Sequence, residues 1–287
     1  MVLSQDLSYN LKMFIDIIIP TYNRSRTIIR AIESVLGQTY KDYNLIIVDD
    51  GSTDDTKDIV KPYLEKKNIH YLFQKNKGVS AARNYGIEHS SSEWIAFLDS
   101  DDEWLSHKLE KQNQFHLLNP KINFIHSNEN WIRNGMRVNA PKKFDKSNDR
   151  ILERSLATCL ISPSTVLMKR ELGSQFNFFN EEMTICEDYD LWLKILLKEE
   201  VGFISDYLIN KYGGHEDQLS TMYDAMDYWR VKSLINILNE KHTDDEVKRK
   251  LIEDEIEKKS SILLKGLQKH NQIQRYNELL SLLNGPK

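Results

Sequence analysis

Only two cysteines, Cys159 and Cys186, occur in 287 residues. They make no zinc-type spacing and cannot build a disulfide framework, which suits a reducing compartment. Eleven glycines and six prolines are too few for a collagen-like or low-complexity chain. No apolar run comes near the roughly 18 residues of a membrane span. The opening segment, MVLSQDLSYNLK, has neither the basic start nor the apolar stretch of a secretory signal. These absences lead us to expect a cytoplasmic location. Basic excess is lacking too: 39 Lys and Arg against 43 Asp and Glu give a formal net charge of -4. That argues against nucleic acid as a partner, because phosphate binding needs a basic surface. What is present is a globular composition, 40% hydrophobic and 29% charged. The length suits about two domains, or one large α/β unit with an appendage.

Short apolar runs punctuate the first half at Phe14 to Ile19, Leu45 to Val48, Tyr71 to Phe73 and Trp94 to Leu98. Such runs suit strands buried on both faces. Between them Ile28, Ile29, Ile32, Val35 and Leu36 recur at helical spacing, as do Ile59, Tyr63 and Leu64, then Val79, Ala82, Gly86 and Ile87. The alternation predicts a mostly parallel sheet with helices on both faces. Beyond residue 120, Asn134-Gly135 marks a hairpin between Ile122 to Ile132 and Met136 to Val138, with a further strand at Thr165 to Met168 and a buried helix at Leu191 to Leu197. From Tyr223 onward a broken apolar stripe predicts a helical extension. Residues 1–120, 121–220 and 221–287 are therefore expected to form two halves of one unit and a helical segment. That segment packs on the rest of the chain or on a second subunit. Lys248–Lys250 and Lys258-Lys259 keep peripheral contact with a membrane surface open as the alternative.

Ligands of an open parallel sheet bind beyond the carboxyl ends of its strands. Here two of those ends are acidic, Asp49-Asp50-Gly51-Ser52 and Asp99-Ser100-Asp101-Asp102. Carboxylates that converge on one crevice repel each other unless a cation sits among them, and oxygen ligands select a hard ion such as Mg²⁺ or Mn²⁺. Asn76 to Asn84 opens a helix with Gly78 and Ser80, so backbone N–H groups and Arg83 are expected to face an anion there. In the second half Glu187-Asp188-Tyr189-Asp190 precedes the buried helix, where crowded carboxylates can supply a general base. Pro20-Thr21-Tyr22-Asn23-Arg24 stands where a dinucleotide fold would carry Gly-x-Gly-x-x-Gly, and no phosphate-loop lysine motif occurs.

Six stretches in order, IIIPTYNR (17–24), IIVDDGSTDDT (46–56), NKGVSAARNYGI (76–87), IAFLDSDDEWL (95–105), CEDYDLWLKI (186–195) and YGGHEDQLS (212–220), give the chain a family likeness. It resembles the family 2 glycosyltransferases of bacterial cell-surface polysaccharide synthesis. The resemblance implies a GT-A fold, an α/β architecture with a Rossmann-like central sheet. It implies that Pro20, Thr21, Tyr22 and Arg24 flank the nucleotide base and that Asp50 hydrogen-bonds it. Asp99 and Ser100 would hold the ribose, Arg83 would lie near the phosphates, and Asp101 with His215 would hold Mn²⁺ or Mg²⁺. Asp188 would be the catalytic base, with Glu187 its neighbour. The last stretch departs from the family's commoner pattern at Lys211 and at Gly213-Gly214.

The resemblance thus implies an inverting transfer from a nucleotide-sugar, a UDP-sugar above all, to a hydroxyl of a saccharide or lipid-linked acceptor. Location at the inner face of the membrane and a homo-oligomeric state accompany it as secondary expectations. Two rivals make different demands. A sugar-phosphate nucleotidyltransferase wants a glycine-rich basic loop after the first strand, which is missing. A silent scaffold would have lost an acid, whereas Asp50, Asp99, Asp101 and Asp188 all stand in place.

Overall fold

The computed structural model describes residues 13–214 and 226–285. The first strand, β1 (Ile15–Thr21), is buried at every position, as its isoleucine run requires. It pairs in parallel with β2 (Tyr43–Asp49) on one side and β4 (Trp94–Phe97) on the other. Strand β3 (Ile69–Phe73) extends β2, again in parallel. The connecting helices are α1 (Ile28–Leu36), the short α2 (Thr56–Val60), continued by a 3₁₀ turn, and α3 (Val79–Glu88). This is the alternation predicted for the first half.

Beyond β4 the sheet becomes mixed. Strand β5 (Glu103–Trp104) and helix α4 (Lys108–Leu118) lead to β6 (Phe124–Arg133), which turns at Asn134-Gly135 into β7 (Met136–Val138). Both turn residues have positive φ, 50° and 75°, as a tight hairpin demands. Helix α5 (Ile151–Ala157), strand β8 (Leu167–Lys169), the short α6 (Arg170–Ser174), helix α7 (Glu187–Lys198) and strand β9 (Gly202–Gly213) follow. The sheet order is β3-β2-β1-β4-β8-β6-β9-β5, with β7 attached to β6. Strand β8 runs antiparallel to both β4 and β6, and β6 runs parallel to β9. Two reversals cancel. The carboxyl ends of β1, β2, β4, β6 and β9 therefore all reach one rim of the sheet, which is where the candidate site lies.

Two apolar layers flank the sheet. One packs α1 against Ile15, Ile17, Ile19, Leu45 and Ile47; the other packs α3 and α7 against Ile18, Ile46, Val48 and Phe97. Helices α8 (Met226–Asn239), α9 (Glu246–Lys269) and α10 (Ile273–Leu283) join the second layer through Val231, Leu234, Ile252, Ile256 and Leu279. The C-terminal stripe thus covers the chain's own core. No helix among the described residues is long and apolar enough to cross a membrane.

Close contact between α3 and the sheet depends on a missing side chain. A Cβ at Gly86 would come within 2.7 Å of Ile18 Cγ2 and 3.0 Å of Val48 Cγ2. Both partners are β-branched and stiff, so neither can rotate away. We predict that Gly86→Ala destabilises the fold by about 1–3 kcal/mol through overpacking, despite the gain in helix propensity. Urea denaturation checks this, and an unchanged or higher midpoint refutes it.

Candidate active site

The loops after β1 and β2 form one shelf. Asn23 N–H donates to Ser52 Oγ (2.9 Å), Arg24 N–H to Thr56 Oγ1 (3.0 Å) and Thr53 N–H to Asn23 Oδ1 (2.8 Å), while Asp50 N–H reaches the Thr21 carbonyl (2.8 Å). Pro20 and Thr21 end β1 inside the core, and Tyr22 stands 45% exposed on the shelf. Asp50 is buried. Its Oδ1 accepts from Gln74 Nε2 (2.6 Å) and Lys77 N–H (2.9 Å), and its Oδ2 accepts from Gly78 N–H (2.8 Å). Lys77 N–H and Gly78 N–H belong to the stretch expected to face an outside anion. The chain supplies that anion itself, because a buried carboxylate needs donors before any ligand arrives.

After β4 the acidic turn folds over Ser164. Ser164 Oγ donates to Asp102 Oδ2 (2.7 Å) and accepts from Asp99 N–H (3.1 Å), and Tyr212 N–H donates to Asp102 Oδ1 (3.0 Å). Ser100 is buried beside them, and the Asp101 carbonyl accepts from Arg30. Burial, with Asp101 and Asp99 adding to it, pushes the Asp102 carboxyl well above its ordinary value. Asp99 is raised as well, by burial first and then Asp101, against the pull of Arg83. In both carboxyls burial is the largest cause of the rise.

Helix α7 meets this turn through Arg83. Its Nη1 donates to Glu187 Oε1 (2.5 Å) and its Nη2 to Asp99 Oδ1 (2.8 Å), with the guanidinium buried. The expectation that Arg83 faces phosphates therefore meets a side chain already spent on two carboxylates. Burial raises the Glu187 carboxyl, Arg83 opposes this, and the neighbouring Asp188 adds to it. Cys186 takes the left-handed conformation, φ 64°, and starts the helix, whose acidic first turn complements the helix dipole. Asp188 Oδ1 accepts from Tyr189 N–H (2.7 Å), and the Cys159 thiol lies 3.4 Å from Oδ2. Burial and the charge of Asp188 hold Cys159 well above the ordinary thiol range, so it remains a proton donor. Asp190 points elsewhere, to Ser233 Oγ (2.7 Å) and Lys194 Nζ (3.0 Å). The three acids of this turn are thus two groups with different tasks.

A second cation, the half-buried Lys211, was noted in the sequence only as a departure from pattern. Its Nζ donates to Ser162 Oγ (2.7 Å). Burial alone would lower its proton affinity, but Glu129, Asp102, Asp99 and Asp188 surround it and raise it instead. Glu129, on β6, pairs with Lys146 Nζ (3.3 Å) and accepts from Trp131 Nε1 (2.9 Å). Sequence reasoning also missed Asp102, Cys159, Ser162 and Ser164. An acidic run hints at Asp102; the others carry no motif.

Asp99 and Asp101 are carboxylates two residues apart on one turn, a donor type that fits a hard divalent cation. Among the described residues no three His, Cys, Asp or Glu side chains converge on one point. His215 lies outside the described residues.

Two predictions follow from these charges. Arg83→Met strands the buried Glu187 and the partly buried Asp99 and should cost about 3–5 kcal/mol in urea denaturation. Arg83→Met combined with Glu187→Gln should recover part of that loss, and strict additivity would refute the shared ion pair. Burial opposes ionisation of Glu129, but Lys146, Lys211 and its hydrogen bonds prevail and bring its pKa down to about 2. A depressed carboxyl stabilises the fold above its unfolded value of about 4.3 and loses that stabilisation as pH falls toward the folded one. Glu129→Gln should therefore destabilise most at neutral pH, and its deficit should shrink with acidification below about pH 4. A deficit that grows on acidification would contradict this.

The sequence profile described as Glycosyl transferase family 2 matches residues 16–172. An Escherichia coli protein named UDP-Glc:alpha-D-GlcNAc-diphosphoundecaprenol beta-1,3-glucosyltransferase WfgD is 34% identical over 208 residues, 72% of this chain and 79% of that one. A glycosyltransferase of Rickettsia felis is 38% identical over 200 residues, 68% of this chain; the match takes in 32% of that relative's length. Other Rickettsia relatives are covered to 28% and 32%. The crystal structure of S. aureus TarS 1-349 in complex with UDP-GlcNAc superposes with a TM-score of 0.69, at 24% identity, over 90% of this chain and 72% of that one. The architecture is the GT-A fold, and the chain belongs to glycosyl transferase family 2.

Proposed function

We propose that the chain transfers a sugar from a UDP-sugar to a hydroxyl of a lipid-diphosphate-linked saccharide, with inversion at the anomeric carbon. The observation that carries this reading is Arg83, which ties Asp99 on the strand-end turn to Glu187 at 2.8 and 2.5 Å. It sets the start of α7, and with it Asp188, beside the acidic turn. In this reading the strands up to residue 120 present the donor, and the stretch 121–220 presents the acceptor and the base. The relatives' names agree with such substrates: WfgD and WfaP of Escherichia coli are named for UDP-Glc and a diphosphoundecaprenol-linked GlcNAc, and TuaG of Bacillus subtilis for teichuronic acid biosynthesis. The TarS complex holds UDP-GlcNAc, and a Pyrobaculum calidifontis mannosyltransferase of similar fold holds GDP-Man and Mn2+.

Asp188 takes the proton from the acceptor hydroxyl as its oxygen attacks the anomeric carbon. The bond to the nucleoside diphosphate breaks on the opposite face, its electron pair leaves with the diphosphate, and one displacement inverts the centre. Tyr189 N–H and the Cys159 thiol hold the Asp188 carboxylate in place, one on each oxygen. Glu187 acts through Arg83 as a positioning residue. Asp101, with Asp99, would hold a divalent cation, which when bound supplies electrostatic stabilisation of the departing diphosphate. Tyr22 and the loop after β2 offer the shelf for the base.

Turnover and binding test this together. Asp188→Asn keeps the shape of the side chain but cannot take a proton, so turnover should fall about 10²-fold or more while UDP-sugar affinity stays nearly unchanged. UDP affinity measured by calorimetry should drop when a chelator replaces Mn²⁺ and when Asp101 becomes Ala. Near-normal turnover of Asp188→Asn would remove it as the base, and equal UDP affinity with chelator would remove the metal. Asp190→Asn serves as the contrast: it breaks the pair with Lys194 and should lower stability more than turnover.

A further inference from the structure

Strand β6 is covered unevenly. Strand β8 pairs with Phe124 and Ile125, and β7 begins its pairing at Trp131. Between those points β6 pairs with β9 alone. A cavity of about 340 Å³ lies along this stretch, closed by the segment from Asn139 to Lys146. Three aromatic side chains wall it. The Trp131 and Phe144 ring centroids are 5.1 Å apart and inclined at 54°, and Tyr207, 50% exposed, lies 5.0 Å beneath the Arg137 guanidinium. Asn128 donates its Nδ2 to the Ser205 carbonyl (3.0 Å), which leaves its Oδ1 for an outside donor.

A relay of contacts links the cavity to the acids of the candidate site. Trp131 sits opposite Lys211 in the parallel register, so both side chains lie on one face of the sheet. Trp131 also donates to Glu129, whose partner Lys146 donates to the Leu160 carbonyl. Leu160 follows Cys159, which contacts Asp188.

We propose that this cavity is an acceptor subsite that binds a pyranose ring of the saccharide. A pyranose has C–H faces that stack on aromatic rings and a rim of hydroxyls that need hydrogen-bond partners. This wall offers aromatic faces, a side-chain amide and a carboxylate, Asp145, in one place. Its volume lies at the small end of the ~300–1,000 Å³ typical of ligand sites, which suits a sugar unit rather than a lipid chain. The inference rests on the glycosyl-transfer reading above and deepens its acceptor side.

Saturation-transfer NMR with the methyl glycosides of glucose, galactose, mannose and N-acetylglucosamine tests it on the full chain. Wild type should bind at least one of them. Tyr207→Ala and Asn128→Ala, both surface changes, should weaken that binding, the former by about ten-fold. UDP affinity, measured on the same samples, should stay within about two-fold of wild type. The subsite is overturned if no methyl glycoside binds wild type, or if both variants bind like wild type. Loss of UDP binding in wild type itself would instead count against the donor reading, because the glycoside signal is independent of it.

Discussion

Arg83 stands between two carboxylates that belong to different parts of the chain and would repel each other without it. Asp99 lies in the turn after a strand of the parallel half, and Glu187 starts a helix in the second half. Burying either acid alone would be expensive, and burying the guanidinium alone would be worse. Only together, with two short charge-assisted bonds, do they form a stable crossing point. Lys211 plays the complementary part on the other side of the turn, where Glu129, Asp102, Asp99 and Asp188 surround it. The candidate site is therefore a cluster of acids laced by the buried Arg83 and Lys146 and the half-buried Lys211. Burial holds the Asp102 and Asp99 carboxyls above their ordinary range, and Asp101 adds to the rise in both.

The parallel half was legible because its strands are apolar on both faces and its turns carry acids where ligands gather. Beyond residue 105 the signal fades for physical reasons. Helix α4 escaped notice because its buried face is built from Lys108, Leu109, Gln112 and His116, which do not make an apolar stripe. Lys108 is tolerated there through Gln112 Oε1 at 2.8 Å and the Trp104 ring at 3.9 Å. Strand β9 alternates irregularly between buried and exposed, and its pairing with β6 shifts register twice near Asn128. No period-2 pattern survives that.

Among site residues, position was easier to read than partnership. The acids after the strand ends and at the start of α7 were found because residue type and place in the fold suffice. Asp50 and Arg83 were located but given outward-facing tasks, whereas each is bound first by its own chain. Ser164, Ser162, Cys159 and Lys211 are single residues whose meaning comes from neighbours distant in sequence. Nothing local distinguishes Ser164 from any serine after a proline, yet it joins the two ends of the acidic turn.

Strand β8 also bears on how the molecule is made. It joins the two halves of the sheet with three pairs to β4 and two to β6. Of the strands before it, β1 to β4 pair among themselves, whereas β5 and β6 also need β9, which follows it. The seam itself must wait for residues 167–169, a long-range closure whose entropic cost precedes its reward. The acidic turn after β4 is thus synthesised early but acquires Ser164, Glu187 and Lys211 only once that closure is made. The site is thus assembled from segments far apart in the chain, across a seam that β8 closes with no chemistry of its own.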